Sequence, residues 1–180
     1  MRVFDPVPVV MLIALGGLPG AGKSALARSL ARRIEAVHLR IDTIEQAMRN
    51  AGFTVSGPEG YLAARDLAED NLRVGRTVIV DSVNPLAITR AYWRETAERL
   101  AVEFLEIEVV CSDKAQHRRR VESRDAEIPG LVLPTWQQVL DRRYEPWTTA
   151  HVIDTAGRTL EQGVSQAEAI ALEAAGRSRP

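Results

Sequence analysis

A chain of 180 residues, 46% of them hydrophobic, is long enough to bury one core, and its net charge of −1 gives no bulk attraction to nucleic acid or a membrane surface. The one cysteine, Cys111, excludes an internal disulfide and points to a reducing compartment, so a cytoplasmic setting is expected. Of 23 basic residues only Lys23 and Lys114 are lysine, which makes the position of each informative.

The apolar run at 9–15 is too short to cross a bilayer as a helix. Asp5, Pro6 and Pro8 stand where a secretory signal would carry basic residues. The run reads instead as a strand buried on both faces. Residues 24–34 follow as a helix, with Leu26, Leu30 and Ile34 on one stripe. A second short strand spans 37–41, helices span 43–51 and 59–74, and 53–58 is a loop. A third strand at 77–80 closes on Asp81. Residues 88–100 form a helix with Trp93 and Leu100 facing inward, and 104–110 a fourth strand. A basic helix at 113–123 leads through a proline-containing segment, 128–134, to a helix at 135–144. A last strand at 151–153 and a closing helix at 160–175 complete the chain, with 176–180 frayed. Short β-branched runs alternating with helices predict a mostly parallel five-stranded sheet with helices on both faces, in one domain spanning 1–180.

Between the first strand and the first helix, Gly17, Gly22, Lys23 and Ser24 match G-x-x-x-x-G-K-[ST]. Chance alone would produce about one such match in a thousand chains of this composition, so coincidence is set aside. Glycines let backbone N–H groups turn inward and form an anion-sized nest at a helix N-terminus. Gly17, Gly20, Ala21, Gly22, Lys23, Ser24 and Ala25 are therefore the candidate nucleotide-binding residues. Lys23 would serve as a mobile charge for the β- and γ-phosphates of ATP, and the Ser24 hydroxyl as a ligand of Mg²⁺.

Ligands of open α/β sheets lie at the carboxyl ends of the strands, where two acids fall. Asp81 closes the more uniformly apolar strand and is the candidate second metal residue. Asp42 is then free to orient an acceptor hydroxyl and take its proton. The two roles are interchangeable on sequence alone, and Asp42 also suits a helix cap.

Arg120 and Arg124 share a face at i, i+4 of the basic helix. As part of a lid over 114–134 they would bring charge to the β- and γ-phosphates, with Arg120 also binding nucleotide. A solvated basic face is the alternative. A nucleic-acid patch is possible but not favoured, because no aromatics interleave the arginines. Asn84 either touches substrate or shapes the turn before Pro85. Residues 142–147 either line the acceptor pocket or pack Tyr144 and Trp147 into the core. Residues 155–157 fall where a nucleotide base rests in such folds. The three histidines show no metal-ligand spacing, and Cys111 is expected to pack rather than react.

With these residues in place the chain, from 9 to about 157, resembles the small P-loop kinases of the zeta-toxin, chloramphenicol phosphotransferase and polynucleotide 5′-kinase group. The likeness rests on the 17–24 loop, the strand ending on Asp42, Val80-Asp81-Ser82-Val83-Asn84, and the Arg120/Arg124 pair. It implies a three-layer P-loop NTPase fold with a small helical lid. It also implies Asp42 as the activating acid, Arg120 and Arg124 as lid arginines, and ATP with Mg²⁺ as the phosphate source. Asp42 heading a run that contains Met48 is closest to the antibiotic phosphotransferase pattern. Polynucleotide kinases carry a second acid and an arginine after theirs, where Thr43 and Ile44 stand here. The expected partners are thus a nucleoside triphosphate and a small-molecule hydroxyl acceptor. A polynucleotide end kinase and a nucleotide-gated binding module are the alternatives, and the pattern carries no indication of oligomeric state.

Overall fold

Alternation of side chains along β1 (Met11–Gly16), buried throughout its length, divides the molecule into layers. The computed structural model describes residues 9–177. Met11, Ile13 and Leu15 pack on one side against Leu26, Ala27 and Leu30 of α1 (Lys23–Arg33) and Val164, Ala167 and Ala171 of α7 (Leu160–Arg177). Leu12 and Ala14 pack on the other side against Ala64, Ala68 and Leu72 of α3 (Glu59–Arg73) and Trp93 and Ala97 of α4 (Ala87–Leu100). Alanines on the sheet-facing stripes let α3 and α7 approach the strands closely. The three-layer α/β arrangement follows from one period-two pattern and several period-3.6 stripes.

The remaining strands are β2 (Val37–Arg40), β3 (Val78–Asp81), β4 (Glu103–Val110) and β5 (His151–Asp154). Their order is β2-β3-β1-β4-β5, and all four neighbouring pairs are parallel. The central strand β1 sends the chain past β3 to β2, while β4 and β5 build the other side. The strand order therefore switches beside the carboxyl end of β1, where the crevice of an open α/β sheet forms. No helix among the described residues is long and apolar enough to cross a membrane.

The structure departs from the sequence expectations at several element ends. The strand expected at 9–15 begins at Met11, and the frayed end expected at 176–180 is helical through Arg177. Residues 178–180, like Asp5, Pro6 and Pro8, lie outside the described residues. The helix α2 (Ile41–Asn50) starts before Asp42, and α5 (Lys114–Ser123) stops before Arg124. The helix expected at 135–144 is only α6 (Trp136–Leu140). Thr135 starts it with a reciprocal capping box on Gln138. Competing tertiary bonds end it: Glu145 donates its N–H to Pro85 O at 2.8 Å and accepts the Ala87 N–H at 2.8 Å. Trp147 then turns into the core, 7% exposed.

Candidate active site

Steric demands shape the turn after β1. Gly17 has φ 132°, and a Cβ there would overlap the Val109 carbonyl, so only glycine fits. Its N–H donates to Val83 O at 3.1 Å. Gly22, also left-handed, is the N-cap of α1, whose first turn contains no acid. The N-terminal N–H groups and positive dipole end of α1 are thus presented at the switch point. Lys23 is 8% exposed and donates from Nζ to Leu18 O at 3.1 Å. Burial pushes its pKa from the ordinary 10.5 to about 8; Asp81 and Asp42 oppose that shift, and Arg124 and Arg142 add to it.

Around this turn opens a cleft of about 880 Å³. Gly20, Gly22, Lys23, Ser24 and Ala25 line its floor, and Asp42, Asp81, Arg120 and Arg124 line its walls. Gly17 and Ala21 shape the loop from beneath without lining the cleft, Ala21 being 1% exposed.

The two strand-end acids occupy contrasting environments. Asp81, at the end of β3, is 2% exposed, and its Oδ2 lies 3.3 Å from His38 Nε2. Burial pushes its carboxyl up, but His38, Lys23 and Ser24 together hold it below the ordinary aspartate range. Asp42 lies in the first turn of α2, exposed, and makes no hydrogen bond or ion pair with a described residue. The N-cap of α2 is Arg40 and has no side-chain cap, so Asp42 does not cap this helix.

Arg120 and Arg124 both reach the cleft, though not from one helix face. Arg120, in the last turn of α5, donates to Thr155 Oγ1 at 2.7 Å and to Thr155 O at 3.1 Å. The Thr155 hydroxyl also lies 2.9 Å from Ala21 O, tying the turn after β5 to the loop after β1. Arg124 follows the helix in extended backbone (φ −81°, ψ 140°), and its buried Nε has no hydrogen-bond partner among the described residues. The helix on which the i, i+4 face was expected ends at Ser123, and extended backbone carries Arg124 near enough to Asp42 for that carboxylate to oppose the lowering of its pKa by burial.

Several contributors carry no motif. Glu127 accepts from Arg28 of α1 at 3.0 Å and Arg40 of β2 at 2.9 Å, clasping the segment after α5 to the body. His117 Nε2 lies 2.8 Å from Pro19 O and holds α5 against the loop. Asn84, fully buried at φ 47°, donates to Leu15 O at 2.8 Å and accepts from Trp93 Nε1 at 3.0 Å. It shapes the turn and does not line the cleft. Residues 142–147 divide: Arg142 lines the cleft, while Tyr144 and Trp147 stack on the buried guanidinium of Arg90.

The sequence profile of the AAA-domain family matches residues 12–146, which include the 17–24 loop, both acids and both arginines. The chain belongs to the AAA-domain family. This AAA-domain protein is 28% identical, over 92% of its own length and 94% of the other's, to the "Probable adenylyl-sulfate kinase" of Aeropyrum pernix. Its fold is similar to that of the APS kinase CysC of Mycobacterium tuberculosis, solved with AMPPNP and APS. There the TM-score is 0.70 at 20% identity, covering 92% of this chain and 99% of that one. It is also similar to a gluconokinase from Sinorhizobium meliloti, with a TM-score of 0.65 at 17% identity, covering 96% and 97%. The fold of this AAA-domain protein is that of the P-loop kinases.

Proposed function

We propose that this P-loop kinase transfers the γ-phosphate of ATP to a hydroxyl group of a small molecule, with Asp42 as the base. The observation that carries the reading is a pairing across one cleft: an unpartnered exposed carboxylate, Asp42, faces a loop whose buried lysine is built for phosphate. A carboxylate free of internal partners can receive a substrate hydroxyl; a buried one engaged by His38 cannot. That contrast favours Asp42 over Asp81 for the acceptor and reserves Asp81 for the metal side.

The loop N–H groups and Lys23 hold the β- and γ-phosphates, and Arg120 and Arg124 close over them as part of a lid spanning 114–134. Ser24 and Asp81 offer one hydroxyl and one carboxylate, hard oxygen donors that fit Mg²⁺ with phosphate and water completing its shell. When bound, Mg²⁺ would neutralise charge developing on the phosphates. The acceptor hydroxyl is oriented by Asp42, its oxygen bonds to the γ-phosphorus, and its proton passes to the carboxylate. The bond from the γ-phosphorus to the bridging oxygen breaks, and ADP leaves with that electron pair. A lid excludes the water that would otherwise consume ATP.

The narrower likeness to the chloramphenicol phosphotransferase pattern rests on Asp42 at the head of α2 with Met48 on the same helix. The names of the relatives put adenylyl sulfate and gluconate first in any acceptor panel. A cytoplasmic setting fits both the ATP supply and the lone buried thiol of Cys111. The test is Asp42→Asn, which should lower kcat about a hundredfold or more while leaving the Kd for ATP unchanged. Transfer to an acceptor at the wild-type rate would remove Asp42 from the mechanism.

A further inference from the structure

The cleft is lined by six cations, and the phosphate reading uses three of them, Lys23, Arg120 and Arg124. Lys23 and Arg120 bond to the loop after β1 and the turn after β5, Arg124 lies near enough to Asp42 to feel its charge, Arg40 donates to Glu127, and Arg49 pairs with Glu45 at 2.9 Å. Arg124 and Arg142 are the lining cations that make no hydrogen bond or ion pair with a described residue, and the kinase reading assigns Arg124 to the phosphates, which leaves Arg142. The acids nearest to it in sequence are engaged elsewhere. Asp141 Oδ1 accepts from Gln137 Nε2 at 2.8 Å, and Glu145 accepts from Arg143 at 2.8 Å and from the Ala87 N–H. Arg142 projects from the chain just after α6, beside Leu133 and Pro134, and its charge opposes that of Lys23. Two like charges lining one cleft repel until an anion lies between them or beside each.

We propose that Arg142 selects acceptors that carry a negatively charged oxyacid group in addition to the hydroxyl that is phosphorylated. The inference rests on the kinase reading of the cleft and adds the acceptor's class to it. The charge of Mg-ATP is met by the metal, Lys23, Arg120 and Arg124, so Arg142 is surplus to the nucleotide. A guanidinium suits a carboxylate, phosphate or sulfate equally, because its planar fork donates two parallel N–H bonds to any pair of oxyacid oxygens. Glu45 and Asp42 of α2 line the same cleft, and Glu45 is already paired with Arg49, so neither neutralises Arg142 through a hydrogen bond or ion pair.

The experiment is a calorimetric titration of protein saturated with Mg-AMPPNP, using matched pairs: D-gluconate against D-glucitol, and adenylyl sulfate against adenosine, with inorganic sulfate as the minimal anion. Wild-type protein should bind at least one acid about tenfold or more tightly than its neutral partner. Arg142→Gln should remove that preference, Arg142→Lys should keep part of it, and both should leave Mg-AMPPNP affinity unchanged. The pair that shows the preference separates a carboxylate from a phosphosulfate. Equal binding of acid and neutral partners, no binding of any acid, or a loss of Mg-AMPPNP affinity in Arg142→Gln would each overturn the proposal. Because binding is read without turnover, the two readings fail separately. An acid held through Arg142 but never phosphorylated sinks the kinase reading and leaves this one standing.

Discussion

Replacing Lys23 by methionine should make the nucleotide-free protein more stable while abolishing its ATP-dependent activity. Burial lowers the Lys23 pKa from 10.5 to about 8, so holding the charged form in the folded protein costs about 3 kcal/mol at neutral pH, at about 1.4 kcal/mol per pH unit. Methionine occupies a similar volume and carries no charge. It leaves Leu18 O without its 3.1 Å donor, a loss of about 1 kcal/mol. The net gain of about 2 kcal/mol corresponds to a Tm rise of about 4–8 °C for a protein of this size. Scanning calorimetry at pH 7 without nucleotide measures it, and a lower Tm for Lys23→Met would refute the reasoning.

The same shift sets a pH dependence whose sign follows from proton counting. Between about pH 8 and 10.5 the unfolded lysine is protonated and the folded one is not, so the unfolded state binds more protons and stability rises with pH through that window. Below pH 8 both are charged and the full cost is present. Triphosphate beside Nζ restores the charge, so ATP binding at pH 9 should take up about one proton. Calorimetry in buffers of different ionisation enthalpy reads that proton, and Lys23→Met should abolish the uptake.

His38→Leu removes the partner of Asp81 Oδ2 and should weaken ATP binding about tenfold in the presence of Mg²⁺ and very little in EDTA. An equal loss in both conditions would mean that His38 only packs β2 on β3. Gly16→Ala places a methyl inside the Trp147 ring, which rests on the end of β1 and stacks on Arg90 at 4.7 Å. It should cost about 1–3 kcal/mol and quench-shift the Trp147 fluorescence, whereas unchanged denaturant unfolding would show that the ring moves aside freely.

Backbone constraint accounts for what was legible in the sequence. The 17–24 loop announces itself because its turn excludes side chains at fixed positions, as the overlap of a Gly17 Cβ with Val109 O shows. The parallel sheet was legible because β1 is apolar along its length and β3 is apolar up to Asp81, a pattern strands covered on both faces need. Asp42 and Asp81 were found by the strand-end rule, but their difference was not. Burial and the His38 bond separate them, and His38 reaches Asp81 only through the β2–β3 register that pairs Arg40 with Asp81. Arg124 does line the cleft, but not by the expected helix face. The i, i+4 rule assumes a continuing helix, and the chain turns extended there. Glu127 and His117 carried no signal, since each acts on residues roughly a hundred positions away.

The charges of the cleft are arranged at the expense of the empty fold. Arg124 and Arg142 each lower the Lys23 pKa, Arg40 lowers that of Arg124, and the buried Arg124 Nε has no partner among the described residues. A sequence selected for stability alone would place a neutral residue at 23 and pair or remove the arginines, as the Lys23→Met calculation makes explicit. On the proposed reading, anions bound along the cleft between the N-terminus of α1 and Arg142 would relieve these repulsions. ATP phosphates would occupy the first part of that span and an acidic acceptor held by Arg142 the rest, so the unfavourable energy among the cations would become affinity for the two substrates at once.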